Sequence, residues 1–343
     1  MANSHLFATV KAYSKKGKLL SKNDLQTFAE SRDLEELITR IRNTNYSQAM
    51  EGLEKTPNSE QIEYALQSHL ADIHYSIAKT SDSKVLDAYF MKFIIRNLKL
   101  ILKGRVLQKS QQEIESRVNL HAEELIRQRD VVVKALVTKD LEETVSSLSD
   151  TIFGKDVAKA AALYQENNNI QIFDTYFDKT IISHLATSLR NSADRDMTRL
   201  VGIDIDFYNL LSILRGKFWE LDTTQIQDLI ISQTSRVSKD LLGRMINSNS
   251  VKEAFDELST SSYKGIIPET ENEIDAISAF ERSMDLLAYK EASASFTRMF
   301  SLGTSIGITK LTNYEIRNIS AIGFAVEHGI PTETTMAKII VNE

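Results

Sequence analysis

The 343-residue chain has no cysteine, three prolines, twelve glycines and one tryptophan. Without cysteine there is no disulfide, no thiol nucleophile and no thiolate metal site, which suits a reducing compartment. So little proline and glycine leaves long stretches of Leu, Ile, Ala, Glu and Lys uninterrupted, and the fold class is all-α. Long apolar runs are also missing. Thr180–Leu189 and Phe300–Thr309 are about half of the roughly 18 to 20 residues that a bilayer demands. Met1–Lys11 lacks a basic segment followed by an apolar core, so no signal peptide is expected. A basic surplus is absent too: the net charge is -6, which argues against a general nucleic-acid binder. The expectation is a soluble chain, or one resting on a membrane without entering it.

Motifs that carry chemistry are equally scarce. The six histidines, His5, His69, His74, His121, His184 and His328, include no His-Glu-x-x-His and no i, i+4 pair, so no metal or other cofactor is expected. Gly303–Lys310 has the glycines of a phosphate loop, but Gly307 is not followed by Lys-Ser/Thr, and the stretch reads as an ordinary helix-connecting loop. There is no Gly-x-Ser-x-Gly elbow. Asp204 and Asp206 could form a metal pair or serve a small-molecule enzyme. They read better as first-turn carboxylates that complement a helix dipole, with Thr312 and Glu315 as a capping box at the corresponding place further on.

What the chain does contain is a phrase written three times. Phe207–Lys217 is foreshadowed by Asn97–Arg105 and echoed by Asn318–Ala325. Asn97, Asn209 and Asn318 lie 112 and 109 residues apart. Leu34, Leu141 and Val251 open similar words at intervals of 107 and 110, and Leu66, Phe173 and Phe280 recur every 107. Three markers in one order at one period indicate an internal repeat of about 110 residues. The expected lobes are approximately 20–113, 120–222 and 230–331. Too few residues follow Asn318 to complete a last unit, so residues 1–20 are expected to pack on it and close three pseudo-equivalent helical lobes into a funnel or ring.

Within the repeated helix, Ile95, Leu98 and Ile101 match Phe207, Leu210 and Ile213, then Ile316, Ile319 and Ile322, an apolar seam. Asn is a mediocre helix former, so its recurrence suggests a buried hydrogen-bonding task. Gly104 and Gly216, with Ala325 at the third phase, imply close helix packing. Lys92, Arg96, Lys99 and Lys103, spaced by four, three and four, put cations on one helical face. That face is either simply solvated or a docking surface for an acidic partner or anionic surface. Arg215 and Lys217 are further candidate contacts.

Lys18–Leu20, Asp24–Leu25, Leu34–Leu37 and Thr44–Tyr46 at the start, Asp204–Lys217 in the middle, and Glu315–Ile319, Ile322 and His328–Pro331 at the end resemble the C subunit family of V/A-type ATP synthases, relatives of the d subunit of vacuolar ATPases. The resemblance covers essentially the whole chain. Lys11 stands where that family often has arginine, and Phe324–Val326 replaces the basic tail of the middle copy. The resemblance implies a non-catalytic, peripheral subunit on the cytoplasmic face of the membrane. It would cap the proteolipid rotor ring, receive the D and F subunits of the central stalk with the membrane stator subunit nearby, and transmit rotation for proton- or sodium-coupled ATP synthesis or hydrolysis. A helical-repeat adaptor unrelated to the rotary motor is the alternative.

Overall fold

A computed structural model describes residues 2–53, 57–81, 83–190, 194–270, 272–298 and 301–341. They are all-α, with no strand among the described residues. In chain order the helices are α1 (Ala2–Lys16), α2 (Lys22–Ala29), α3 (Leu34–Arg42), α4 (Ser59–Ser81), α5 (Lys84–Val106), α6 (Gln111–Glu115), α7 (His121–Leu125), α8 (Arg129–Leu136), α9 (Leu141–Leu148), α10 (Gly154–Asn167) and α11 (Gln171–Leu189). There follow α12 (Arg195–Phe218), α13 (Thr223–Leu229), α14 (Lys239–Asn247), α15 (Val251–Leu258), α16 (Glu273–Ala294), α17 (Gly303–Glu327) and α18 (Thr332–Met336). The chain divides into two compact units: Ser83–Ser188, and Met1–Asp82 together with Leu189–Glu343.

The Ser83–Ser188 unit closes around α5, whose Leu98, Ile101 and Leu102 meet Val132 of α8, Leu148 of α9, Val157 of α10 and Phe173 and Phe177 of α11. Each such side chain, taken fully out of water, contributes about 2 kcal/mol. In the other unit, Leu210, Ile213 and Leu214 of α12 play the part of the α5 seam against Met245 of α14, Leu258 of α15 and Phe280 of α16. The same unit packs α17 against α1, α2, α3 and α4 as well as α12 and α16, so residues near the two ends of the chain share one core. Every residue of α17 from Gly303 to Thr312 is buried, which an ordinary amphipathic surface helix could not be.

Several local expectations hold. Ser21 and Asp24 do form a capping box at the start of α2, and the apolar stripe Ile62–Ala78 lies within α4. Two readings need correction. Gly303–Lys310 is no connecting loop but the first turns of α17. Its glycines serve as contact points. A Cβ on Gly307 would collide with Ser295 Oγ and stand 2.9 Å from the Ala292 carbonyl oxygen, and one on Gly303 would stand 2.5 Å from Asp196 Cβ. Because α17 begins so early, Thr312 and Glu315 lie inside the helix and cap nothing; Thr312 Oγ1 donates to the Ile308 carbonyl at 2.8 Å. Likewise α12 starts at Arg195 with Asp194 as its cap, which leaves Asp204 and Asp206 well inside the helix and Asp206 fully buried.

The close approach at Gly307 decides the sign of a substitution. Gly→Ala inside a helix normally gains about 1 kcal/mol. Gly307→Ala is expected instead to lose about 1 to 3 kcal/mol, because the new methyl meets a backbone carbonyl that cannot swing away. Denaturant unfolding of the two chains measures the difference, and a stabilised variant would refute the contact.

Candidate functional site

Lys99 and Lys103 of the cationic row on α5 are bound within their own unit. Lys99 Nζ lies 3.0 Å from Asp174 and 2.8 Å from Asp178, and Lys103 Nζ lies 2.6 Å from Asp174, so these two lysines cross-link α5 to α11. Burial works to raise the pKa of Asp174, but the bonds from Lys103 and Lys99 outweigh it and hold the carboxyl below its ordinary value. Lys92 sits 5.0 Å from the centre of the Phe93 ring, while Arg96 is exposed on the outer side of the helix.

Arg215 and Lys217 are also bound within their unit. Arg215 pairs with Glu281 of α16 at 2.6 Å, and Lys217 donates to the carbonyls of Ile246 and Ser248 at the end of α14. They repeat Lys103, paired with Asp174, and Arg105, which donates to the Leu136 carbonyl at 2.5 Å. In the third copy the first position is Phe324, exposed and stacked on His328 at 4.0 Å, and the residue at the carboxylate's phase is Gln67. Cation and carboxylate are thus absent together.

The three asparagines perform one task. Asn97 Nδ2 donates to the Asn119 carbonyl at 2.7 Å and Oδ1 accepts from the Asn119 amide at 3.2 Å. Asn209 makes the same pair of hydrogen bonds with Ile231, at 3.2 and 2.9 Å, and Asn318 with Ile340, at 2.8 and 2.9 Å. The partner is always 22 residues further on. Between them each long helix ends alike, with a left-handed residue at Gln108, Glu220 or Gly329, φ 53°, 55° and 63°. The next amide then closes 2.9 Å from the carbonyl of Gly104, Gly216 or Ala325, a Schellman turn. Cβ atoms on Gly104 and Gly216 would stand 2.7 and 2.8 Å from Ile114 and Ile226, the first inward residues of the helices that follow.

Three residues before two of the asparagines stands a buried acid. Asp206 accepts from the amides of Ser235 and Arg236 at 2.8 and 2.6 Å and from the Tyr263 hydroxyl at 2.9 Å. Glu315 accepts from the Leu20 amide and the Tyr46 hydroxyl. Burial raises both carboxyls above their ordinary values, Glu315 to about 7, although the hydrogen bonds pull the other way. In the remaining copy the acid is Ile94 and the tyrosine Phe153, both in the apolar core. Tyr46 and Tyr263 are hydrogen-bond partners of these acids that helical spacing does not single out. Their signal is the repeat itself, since Tyr46, Phe153 and Tyr263 lie 107 and 110 residues apart, in step with Leu34, Leu141 and Val251.

No group of three or more His, Asp or Glu side chains could hold a metal ion among the described residues. The exposed apolar side chains include Leu6, Phe7 and Val10 on the outer face of α1, Leu107 and Trp219 just past α5 and α12, and Phe324.

The model of the ATP synthase (C/AC39) subunit family matches residues 8–338. This chain belongs to that family. It is similar to the C subunit of the A-type ATP synthase of Methanocaldococcus jannaschii, 26% identical over 332 residues that cover 93% of this chain and 82% of the relative. The corresponding Methanosphaera stadtmanae protein is 24% identical with 93% and 83% covered, and that of Haloferax volcanii 25% identical with 82% and 81% covered. Family membership makes the chain a structural subunit of an ATP synthase, not a catalyst by itself. No helix among the described residues is long and apolar enough to cross a membrane.

The asparagine clasps carry a direct test. Asn209→Ala removes both bonds to Ile231 and a third to the Gln233 carbonyl, and leaves the buried Ile231 amide without its acceptor, an expected loss of about 2 to 4 kcal/mol read by thermal or denaturant unfolding. A loss under about 0.5 kcal/mol would show that the clasp contributes little.

Proposed function

We propose that this family member is the central-stalk coupling subunit of a rotary A-type ATP synthase. It joins the D and F subunits to the membrane proteolipid ring and passes rotation between them, in a motor driven by protons or sodium ions. It lies peripherally on the cytoplasmic face with the stator subunit nearby, and ATP chemistry belongs to other subunits. The observation that carries this reading is the family match over residues 8–338, together with relatives named as the C subunit of A-type ATP synthases along nearly the full chain.

The mechanics of the fold support it. Helices of 22 to 25 residues are braced by ion pairs, α5 to α11 in one unit and α16 to α12 and α17 in the other, and α5, α12 and α17 are held at one end by the asparagine clasps. A part that transmits torque needs such bracing, because close-packed interiors carry strain with little compression. We also propose that the repeat corresponds to three lobes, the last assembled from α17 and α18 with α2 to α4, and that their closure into a funnel or ring belongs to the same reading. The recurring clasp geometry supports this division.

The reading is tested by mixing the purified chain with isolated proteolipid ring and with the D/F stalk. Binding to both is expected; binding to neither, alongside capture of an unrelated soluble partner, would sink the rotor assignment. The cation row supplies a finer test. Since Lys99 and Lys103 hold α11, the informative variant reverses Lys92 and Arg96 alone. It is expected to weaken association with ring or stalk, more at low salt than at high. Unchanged assembly at both ionic strengths would return this face to plain solvation.

A further inference from the structure

Glu315 sits where three separate parts of the chain meet. Its carboxyl, on α17, receives the Leu20 amide from the connection between α1 and α2, and the Tyr46 hydroxyl from the turn after α3. Residues 295 and 269 positions away in sequence are thus held by one side chain. A small hollow lies beside it, lined by Leu19, Leu20, Tyr289, Leu311 and Ile340 among others. The groups that face this carboxyl offer an ionised form little help. Asp24 of α2 repels it, and Tyr289 of α16 is a neutral phenol itself disfavoured from ionising by burial and by Glu315. His69 of α4 lies edge-on to the Tyr46 ring at 5.4 Å, and burial, with the charge of Lys15 of α1, keeps that imidazole from protonating readily. The nearby cations of α17 are engaged elsewhere, Lys310 with Asp204 and Arg317 with Asp285.

The repeat provides its own comparison. At this place Asp206 has two amides and a hydroxyl as donors within about 3 Å, and the Ile94 copy has no charge to satisfy. Glu315 is the version with an ionisable group and the thinner set of donors. Loss of its proton puts a charge in the core with one amide and one phenol to hold it.

We propose that Glu315, Tyr46 and the Leu20 amide form a proton-operated latch, which fastens the α1–α2 connection and the turn at Tyr46 to α17 when Glu315 is neutral and loosens them when it ionises. The sign follows from linkage. The carboxyl titrates at about 7 when closed and near the ordinary 4.5 when opened to water, so the closed form holds more protons between those values. Closure is favoured most below pH 4.5, weakens as pH rises through that window, and stops changing above about 7. The opening equilibrium is expected to grow about thirtyfold from about pH 5.5 to about 8.5.

Hydrogen exchange at the Leu20 amide of the full chain, corrected for the intrinsic pH dependence of exchange, reads this opening. Protection is expected to fall about thirtyfold over that range and to remain flat in Glu315→Gln, which keeps the shape and lacks the charge. Constant protection in the unaltered chain overturns the latch. An equal fall in Glu315→Gln also overturns it, by assigning the effect to His69 or another group. Should the variant fail to fold, carboxyl carbon NMR of the unaltered chain decides: a Glu315 midpoint near 7 supports the proposal, and one nearer 4.5 than 7 refutes it.

Discussion

The structure depends on an amide side chain that imitates a β-bridge. Each repeated Asn turns a donor hydrogen and its acceptor oxygen to the carbonyl and amide of a single residue 22 positions on. A helix interior has no spare backbone groups with which to hold a crossing segment, so a side chain must supply them. Asn does this at the right reach, and the cost of an isolated Asn in a helix is outweighed by two buried bonds that would otherwise be missing. Around that fixed point the rest follows: the left-handed turn, the glycine that admits Ile114 or Ile226, and the acid one turn earlier. A further partner is the carboxylate of Glu123 at Asn97 and the Gln233 carbonyl at Asn209.

The substitutions among the copies show which features the geometry requires. The clasp and the turn are common to all three. The charged pairs are not: Lys103 with Asp174 and Arg215 with Glu281 give way to Phe324 and Gln67, and Glu315 with Tyr46 and Asp206 with Tyr263 give way to Ile94 and Phe153. In each case both partners change together. For the buried acid–tyrosine pairs, that is the pattern expected when breaking a pair leaves an uncompensated buried group, whereas exchanging the whole pair for apolar neighbours is tolerated.

Much of this is legible in the sequence, for identifiable reasons. Scarce Pro and Gly give the helical class, and the family resemblance rests on short phrases spread over the whole length. The recurring Asn shows that a polar task is repeated, but not which residue it serves, because a partner 22 residues away lies in a segment with no periodic signature. Sequence signals misplace the starts of α12 and α17. At α17, small and polar residues that normally mark surface turns, Gly303, Ser305, Gly307 and Thr309, are buried by neighbours from distant parts of the chain. The cation row reads as one helical face, yet spacing along α5 cannot reveal Asp174 and Asp178 on α11 opposite Lys99 and Lys103.

The pairing of early and late segments has a consequence for how the chain is made. Tyr46 finds Glu315 only 269 residues later, and the Ala29 carbonyl receives Thr332 only after 303. At roughly 5 to 20 residues per second, the ribosome releases α17 on the order of half a minute after α2 and α3 have emerged. Throughout that wait Leu25, Phe28, Leu37 and Ile41 lack α17, on which α2 and α3 pack, while α5 to α11 can close among themselves. Helices α2 and α3 are therefore made long before the helix they pack on, and nascent chains stalled before Gly303 would expose their apolar surface to chaperones and proteases.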